Sequence, residues 1–277
     1  MSNISPKLAE QAALQAANAA SESLMTNFGH AGSGKRASVD AWMKSPGALL
    51  TEADLAADKA ISDALTSSGV DAALLSEESR TGDVSGDASW LVDPLCGTVP
   101  FRSGLPHWGL SIALRTGDEL SVGVLAVPPR DMTLSTATGH GVSLNGEPFQ
   151  CEDPGLPFGE AVVGLEIDSG DWKRMLSAAP DGSRGIDWVT QVDNVATLIS
   201  AAYPISLVCT GGMSGVVFYK VDSVHVAAGA AIAEELGIRV TDENGNRLDW
   251  RSQEPYPVVV FAWPSIHAEL LAAMRHS

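Results

Sequence analysis

The stretch Trp90-Leu91-Val92-Asp93-Pro94-Leu95-Cys96-Gly97-Thr98 decides how this chain is read. Three apolar residues run into a carboxylate, with a proline and then a glycine beyond it. The segment therefore predicts a buried strand over 90–93 that breaks into a turn over 94–98. A carboxylate that closes a buried strand and leads into a glycine turn is a recurrent site geometry in α/β proteins. Working outward, Asp71 to Leu75 predicts a short strand before it, and Leu110 to Leu114 and Ser121 to Val127 predict strands after it. Asn145-Gly146, flanked by Val142, Leu144 and Phe149, is a hairpin signal.

Helical spacing lies on both sides of this strand-rich stretch. Pro6 to Phe28 is alanine-rich with apolar residues near a 3.6 period, and the glycines from Gly29 to Gly34 should end that helix. A second helix follows Thr51, with Thr51 as N-cap and Asp54 three residues on. A softer break at Pro154 to Gly159 divides the chain. Beyond it Ala161 to Ile167, Gly215 to Tyr219 and Pro257 to Trp263 read as strands, and Val240 to Gly245 as strand and turn. Asn194 to Val208 contains a helix, Val226 to Leu236 is a small-residue helix stopped by Gly237, and Pro264 to Met274 is the last helix. The two halves, 1–153 carrying the acidic site and 154–277 completing the pocket, both mix helix with sheet, so an α/β protein of stacked layers is expected.

Composition narrows the function. The 277 residues can bury a substantial core, and 45% hydrophobic with 18% charged residues is a folded composition. The 17 Lys+Arg against 34 Asp+Glu give a net charge of −17, which repels phosphate backbones and anionic lipid. Neither a nucleic acid nor a membrane is therefore an expected partner, and the acidic surface favours a small, amine-bearing substrate. No apolar run reaches the roughly 18 residues of a membrane span, and the N-terminus lacks a signal-peptide pattern. Three cysteines at unrelated spacings, Cys96, Cys151 and Cys209, do not make a disulfide framework. A cytoplasmic location is expected.

Three acidic residues stand out: Asp54, Glu77 in Ser76-Glu77-Glu78-Ser79, and Asp93. Hard oxygen ligands gathered from separate elements are what Mg²⁺ requires. Each also has a plainer explanation: helix capping for Asp54, a solvated loop for Glu77, and a turn-initiating side chain for Asp93.

Ser76-Glu77-Glu78-Ser79 together with Trp90 to Phe101 resembles the two signature segments of the inositol monophosphatase family, which also includes bisphosphate nucleotidases. Thr51 to Ala57 resembles the start of that family's second helix, and Gly139 to Gly146 its segment after the central strands. Ala227 to Gly237 followed by Val240-Thr241-Asp242 resembles its C-terminal signature. The resemblance runs through most of the chain. It implies an α/β/α/β/α layered sandwich of the sugar-phosphatase type, an ancestral Mg²⁺-dependent phosphomonoester hydrolysis, and a homodimer.

Residue by residue, the resemblance implies one metal on Glu77, Asp93 and the Leu95 carbonyl. It implies that Thr98 orients the attacking water through a nearby carboxylate, and that the Gly97 and Thr98 N–H groups face an oxyanion. Where the family's second metal has two aspartates, this chain has Cys96 and His225. A thiol and an imidazole favour Zn²⁺ or copper over Mg²⁺, so the second Mg²⁺ site should be lost, leaving one residual Mg²⁺ or no metal. Cys96 and His225 then permit three readings: a Zn²⁺ site with Asp93, a Cys–His nucleophile pair, or fillers of a vacated site, the last asking least of them. A His opening a helix should be neutral.

The function expected from this divergence is a biosynthetic enzyme acting on a sulfate or phosphate ester of a small metabolite. Glu77, Asp93 or Asp54, freed from metal, would be the general base for displacement, cyclisation or elimination of the leaving group. Mg²⁺-dependent phosphomonoester hydrolysis is the alternative, and a catalytically silent subunit bound to a partner protein is the second. In the specificity-bearing second half, Glu166, Asp168 and Asp171 are the candidate contacts.

Overall fold

A computed structural model describes residues 4–28, 40–45, 48–167 and 185–275. Helices α1 (Pro6–Asn27) and α2 (Glu52–Ser67) pack together on the outer face of the larger sheet. The glycines 29–34 lie outside the described residues. A two-stranded ribbon, β1 (Ala41–Ser45) and β2 (Ala48–Thr51), leads into α2. Thr51 caps that helix, and Thr51 and Asp54 form a reciprocal capping box.

The larger sheet takes β3 (Ala73–Ser76), β4 (Arg80–Thr81), β5 (Ala88–Cys96), β6 (Gly109–Thr116), β7 (Glu119–Val127), β8 (Met132–Ala137), β9 (Val142–Leu144) and β10 (Glu147–Phe149). Its order is β10-β9-β8-β7-β6-β5-β3-β4, antiparallel except where β3 runs parallel to β5. The β9–β10 turn is Asn145-Gly146, both with positive φ, as its sequence predicts. The smaller sheet takes β11 (Val162–Ile167), β12 (Asn194–Ala196), β13 (Gly215–Val221), β14 (Arg239–Thr241) and β15 (Tyr256–Ala262), in the order β12-β11-β13-β15-β14. Between the sheets lie α4 (Ala202–Cys209) and α5 (Ser223–Glu235), while α6 (Pro264–Arg275) covers the far face of the smaller sheet. These are the five layers α/β/α/β/α that the resemblance implies. No helix among the described residues is long and apolar enough to cross a membrane.

Two local details depart from the sequence reading. Within 194–208 the first three residues form an edge strand parallel to β11, and helix begins only at Ala202. Pro94 does not end β5; the strand continues to Cys96 with a register shift against β6 between Asp93 and Cys96. Side chains alternate along a strand, so residues 93 and 96 would ordinarily point to opposite faces. Here Trp90, Val92 and Leu95 pack in the α1/α2 core, whereas Leu91 and Cys96 pack in the core beneath α5. The bulge resets the phase and brings Asp93 and Cys96 onto one side of the sheet.

Helix α5 approaches the larger sheet closely because its residues are small. A Cβ at Gly123 of β7 would stand 2.5 Å from the Ala228 carbonyl oxygen and 2.9 Å from the Ala231 Cβ. At the start of α5 the Ser111 hydroxyl of β6 donates to the Val224 carbonyl at 2.8 Å. These contacts hold the first turn of α5 over the end of β5.

Candidate active site

The end of β5, the residue after β3 and the first turn of α5 converge on a cleft of about 360 Å³. Glu77, Asp93, Leu95, Cys96, Gly97, Thr98 and His225 line it. Glu77 is fixed by its backbone, whose N–H donates to the Val92 carbonyl at 3.0 Å. Gly97 turns the chain into the short helix α3 (Thr98–Ser103) with φ of 105°, and a Cβ there would meet the His107 carbonyl at 2.9 Å.

Asp54 stands behind this lining, 1% exposed. Its Oδ2 accepts the Thr51 N–H at 2.8 Å, and its Oδ1 accepts the Thr98 hydroxyl at 2.9 Å. One carboxylate thus serves both as helix cap and as site residue. Burial raises its pKa, against the lowering effect of the bonds from Thr51 and Thr98.

Asp93 is fully buried; its Oδ1 accepts the Leu95 N–H at 3.2 Å and its Oδ2 accepts His225 Nδ1–H at 2.6 Å. Burial works to lower the His225 pKa, but the charge and hydrogen bond of Asp93 outweigh it and raise the imidazole well above its ordinary value. The neutral His225 expected from its helix position is therefore corrected: its carboxylate partner prevails over the helix end. Cys96 is buried, and its Sγ accepts the N–H groups of Ala201 and Ala202 at 3.0 and 3.2 Å. Burial pushes its thiol up to about 11, with the Asp93 charge adding to that. All three cysteines are free.

The sequence reading missed the opposite wall. Ser200 donates to the Cys96 carbonyl at 2.9 Å and, with Ala201 and Ala202, surrounds the end of β5 with donors. Ile199 and Lys220 also line the cleft, with φ of 58° and 55°. A β-branched residue in the left-handed region is strained, and such strain gathers at functional sites. Nothing in a side-chain type announces it. Of the second-half candidates, Glu166 lines the cleft, and Asp168 and Asp171 lie outside the described residues.

Glu166 accepts the N–H groups of Leu198 and Ile199 at 2.6 and 2.9 Å, yet burial pushes its pKa up to about 7. A carboxyl with a raised folded pKa adds stability that is full below about 4.5 and lost as pH rises through about 7. Glu166→Gln should therefore flatten the loss of stability between these values, by about 3 kcal/mol relative to the parent protein. Denaturant unfolding of both proteins at the two ends of that range reads this difference. Parallel pH profiles would count against it.

Five alternating layers and a carboxylate-lined cleft at the end of a buried strand define a sugar-phosphatase-type α/β protein. The chain belongs to the inositol monophosphatase family, whose pattern it matches over residues 7–277. It is 28% identical to the Nus factor SuhB of Pasteurella multocida over 259 residues, covering 86% of each chain. It is 27% identical to the fructose-1,6-bisphosphatase/inositol-1-monophosphatase of Thermotoga maritima over 229 residues, covering 82% of each. In fold it is similar to the extragenic suppressor protein SuhB of Bartonella henselae, with a TM-score of 0.80 over 96% of this chain and 97% of that one at 22% identity.

Proposed function

We propose that this protein hydrolyses a phosphomonoester of a small metabolite. The observation that carries the reading is the hydrogen bond from Thr98, in the lining of a cleft that also holds Glu77 and Asp93, to the buried Asp54 behind it. The name of the Thermotoga relative, a phosphatase, supports hydrolysis. The displacement, cyclisation or elimination reading drawn from Cys96 and His225 finds no such support among the relatives, and hydrolysis takes its place.

The donor set can be tested against the Mg²⁺ that the family typically uses. Glu77, Asp93 and the Leu95 carbonyl are hard oxygen donors among the residues lining the cleft, and their chemistry fits a single Mg²⁺. The thiol of Cys96 and the imidazole of His225 do not fit a second. When bound, Mg²⁺ supplies Lewis-acid stabilisation of charge on the phosphoryl oxygens.

The remaining chemistry belongs to the chain. Thr98 donates its hydroxyl hydrogen to Asp54, so its oxygen is left to accept a hydrogen bond from a water in the cleft. As the water oxygen attacks phosphorus, its proton passes through the Thr98 hydroxyl to the Asp54 carboxylate. The ester P–O bond breaks, and the departing alkoxide recovers a proton from solvent. Asp54 does not reach the cleft, so it acts through Thr98 as a positioning residue and proton acceptor. Its raised pKa suits it to hold that proton.

Thr98→Val keeps the shape and removes the relay. It should lower kcat on the order of 10²-fold with KM nearly unchanged. Phosphate release from a panel of phosphomonoesters, with and without Mg²⁺, checks the proposal. Absence of release from every ester would overturn it and favour a non-catalytic subunit, the role suggested by the Nus-factor name of the Pasteurella relative.

A further inference from the structure

We infer that Asp93, Cys96 and His225 form a binding site for a divalent transition metal of the Zn²⁺ class. One carboxylate oxygen, the Sγ and one imidazole nitrogen of these residues lie within 4.8 Å of one another. A tetrahedral Zn²⁺ bonded at roughly 2.0 Å to nitrogen and oxygen and 2.3 Å to sulfur separates its ligand atoms by roughly 3.3–3.6 Å. The widest pair has to close by about 1.5 Å at most. The tightest pair, Nδ1 and Oδ2 at 2.6 Å, has to open by only about 1 Å.

Two further observations point to a ligand. The Cys96 sulfur is held from behind by the Ala201 and Ala202 N–H groups, which compensate negative charge on sulfur, as a metal-bound thiolate needs. All three side chains line the cleft, so a fourth coordination position opens into it. Three protein ligands with an open fourth position is the arrangement of a catalytic zinc site, not of a closed structural one. The mix of thiolate, imidazole and carboxylate excludes Mg²⁺ as the preferred ion. The site shares Asp93 with the Mg²⁺ donor set of the hydrolase reading, but its test reads metal retention and not ester hydrolysis, so the two can fail separately.

The test is metal binding by the full-length protein. Metal-stripped protein is incubated with Zn²⁺, passed through a desalting column, and assayed for bound metal by elemental mass spectrometry. Co²⁺ is used in parallel, because a thiolate ligand gives it a charge-transfer band in the near ultraviolet. One tightly held Zn²⁺ per chain and that band are the expected results. Cys96→Ser should abolish the band and weaken Zn²⁺ binding on the order of 100-fold, while Cys151→Ser leaves both unchanged. Cys96→Asp, which restores an oxygen donor, should shift preference from Zn²⁺ toward Mg²⁺. Failure of the parent protein to retain Zn²⁺, or retention undiminished in both Cys96→Ser and His225→Gln, overturns the site whether or not any ester is hydrolysed.

Discussion

Asp93→Asn is expected to lower phosphate release on the order of 10³-fold, the largest loss of activity from any single side chain of the site. Asp93 is fully buried, accepts from Leu95 N–H and His225 Nδ1–H, and lines the same cleft as Glu77. Asparagine preserves volume and the bond from Leu95, so the fold should survive. It removes the negative charge that both a bound cation and a protonated His225 require. His225 should then lose its proton near neutral pH, since the Asp93 charge and hydrogen bond are what hold its pKa high. Phosphate release and the imidazole proton resonances, followed against pH, report the two effects separately. Retention of activity within tenfold would remove Asp93 from the machinery.

The largest effect on stability is expected at Gly123. Gly123→Val places a branched side chain where even a Cβ would lie 2.5 Å from the Ala228 carbonyl oxygen. The obstacle is backbone, so it cannot rotate away, and α5 must lift from the sheet. A loss of about 3 kcal/mol or more is expected. Gly139→Ala is the control: its φ is +80° but nothing lies within 4 Å of the added Cβ. That substitution should cost only about 1 kcal/mol of backbone strain. Denaturant unfolding of the two variants checks the contrast. Comparable losses would mean that the close approach of α5 matters less than the glycine conformation itself.

The parts of this molecule that were legible in the sequence are those encoded locally. Thr51 and Asp54 sit three residues apart, so their capping box was visible, as was the Asn145-Gly146 hairpin. The site was legible in part, because Asp93 closes an apolar run and the motif around Glu77 and Thr98 is a family signature. What escaped involves distance in the chain or backbone geometry. The charge on His225 depends on Asp93, 132 positions away. The donors on Cys96 come from Ser200, Ala201 and Ala202, which carry no chemical signal of their own. Proline cannot donate to the ladder, so Pro94 predicts the end of a strand. The chain instead accommodates it in a bulge.

That bulge means the site is stored in the phase of the backbone as much as in the identities of its residues. A strand running through residues 93–96 with a regular pleat would lack no ligand, base or hydrogen-bond donor. Its unbroken two-residue rhythm would nevertheless turn either Asp93 or Cys96 toward the α1/α2 core and away from His225. Such a chain, with every reactive group intact, would carry a dismantled cleft. One backbone irregularity therefore does for this protein what a cross-link does elsewhere: it fixes which side chains meet.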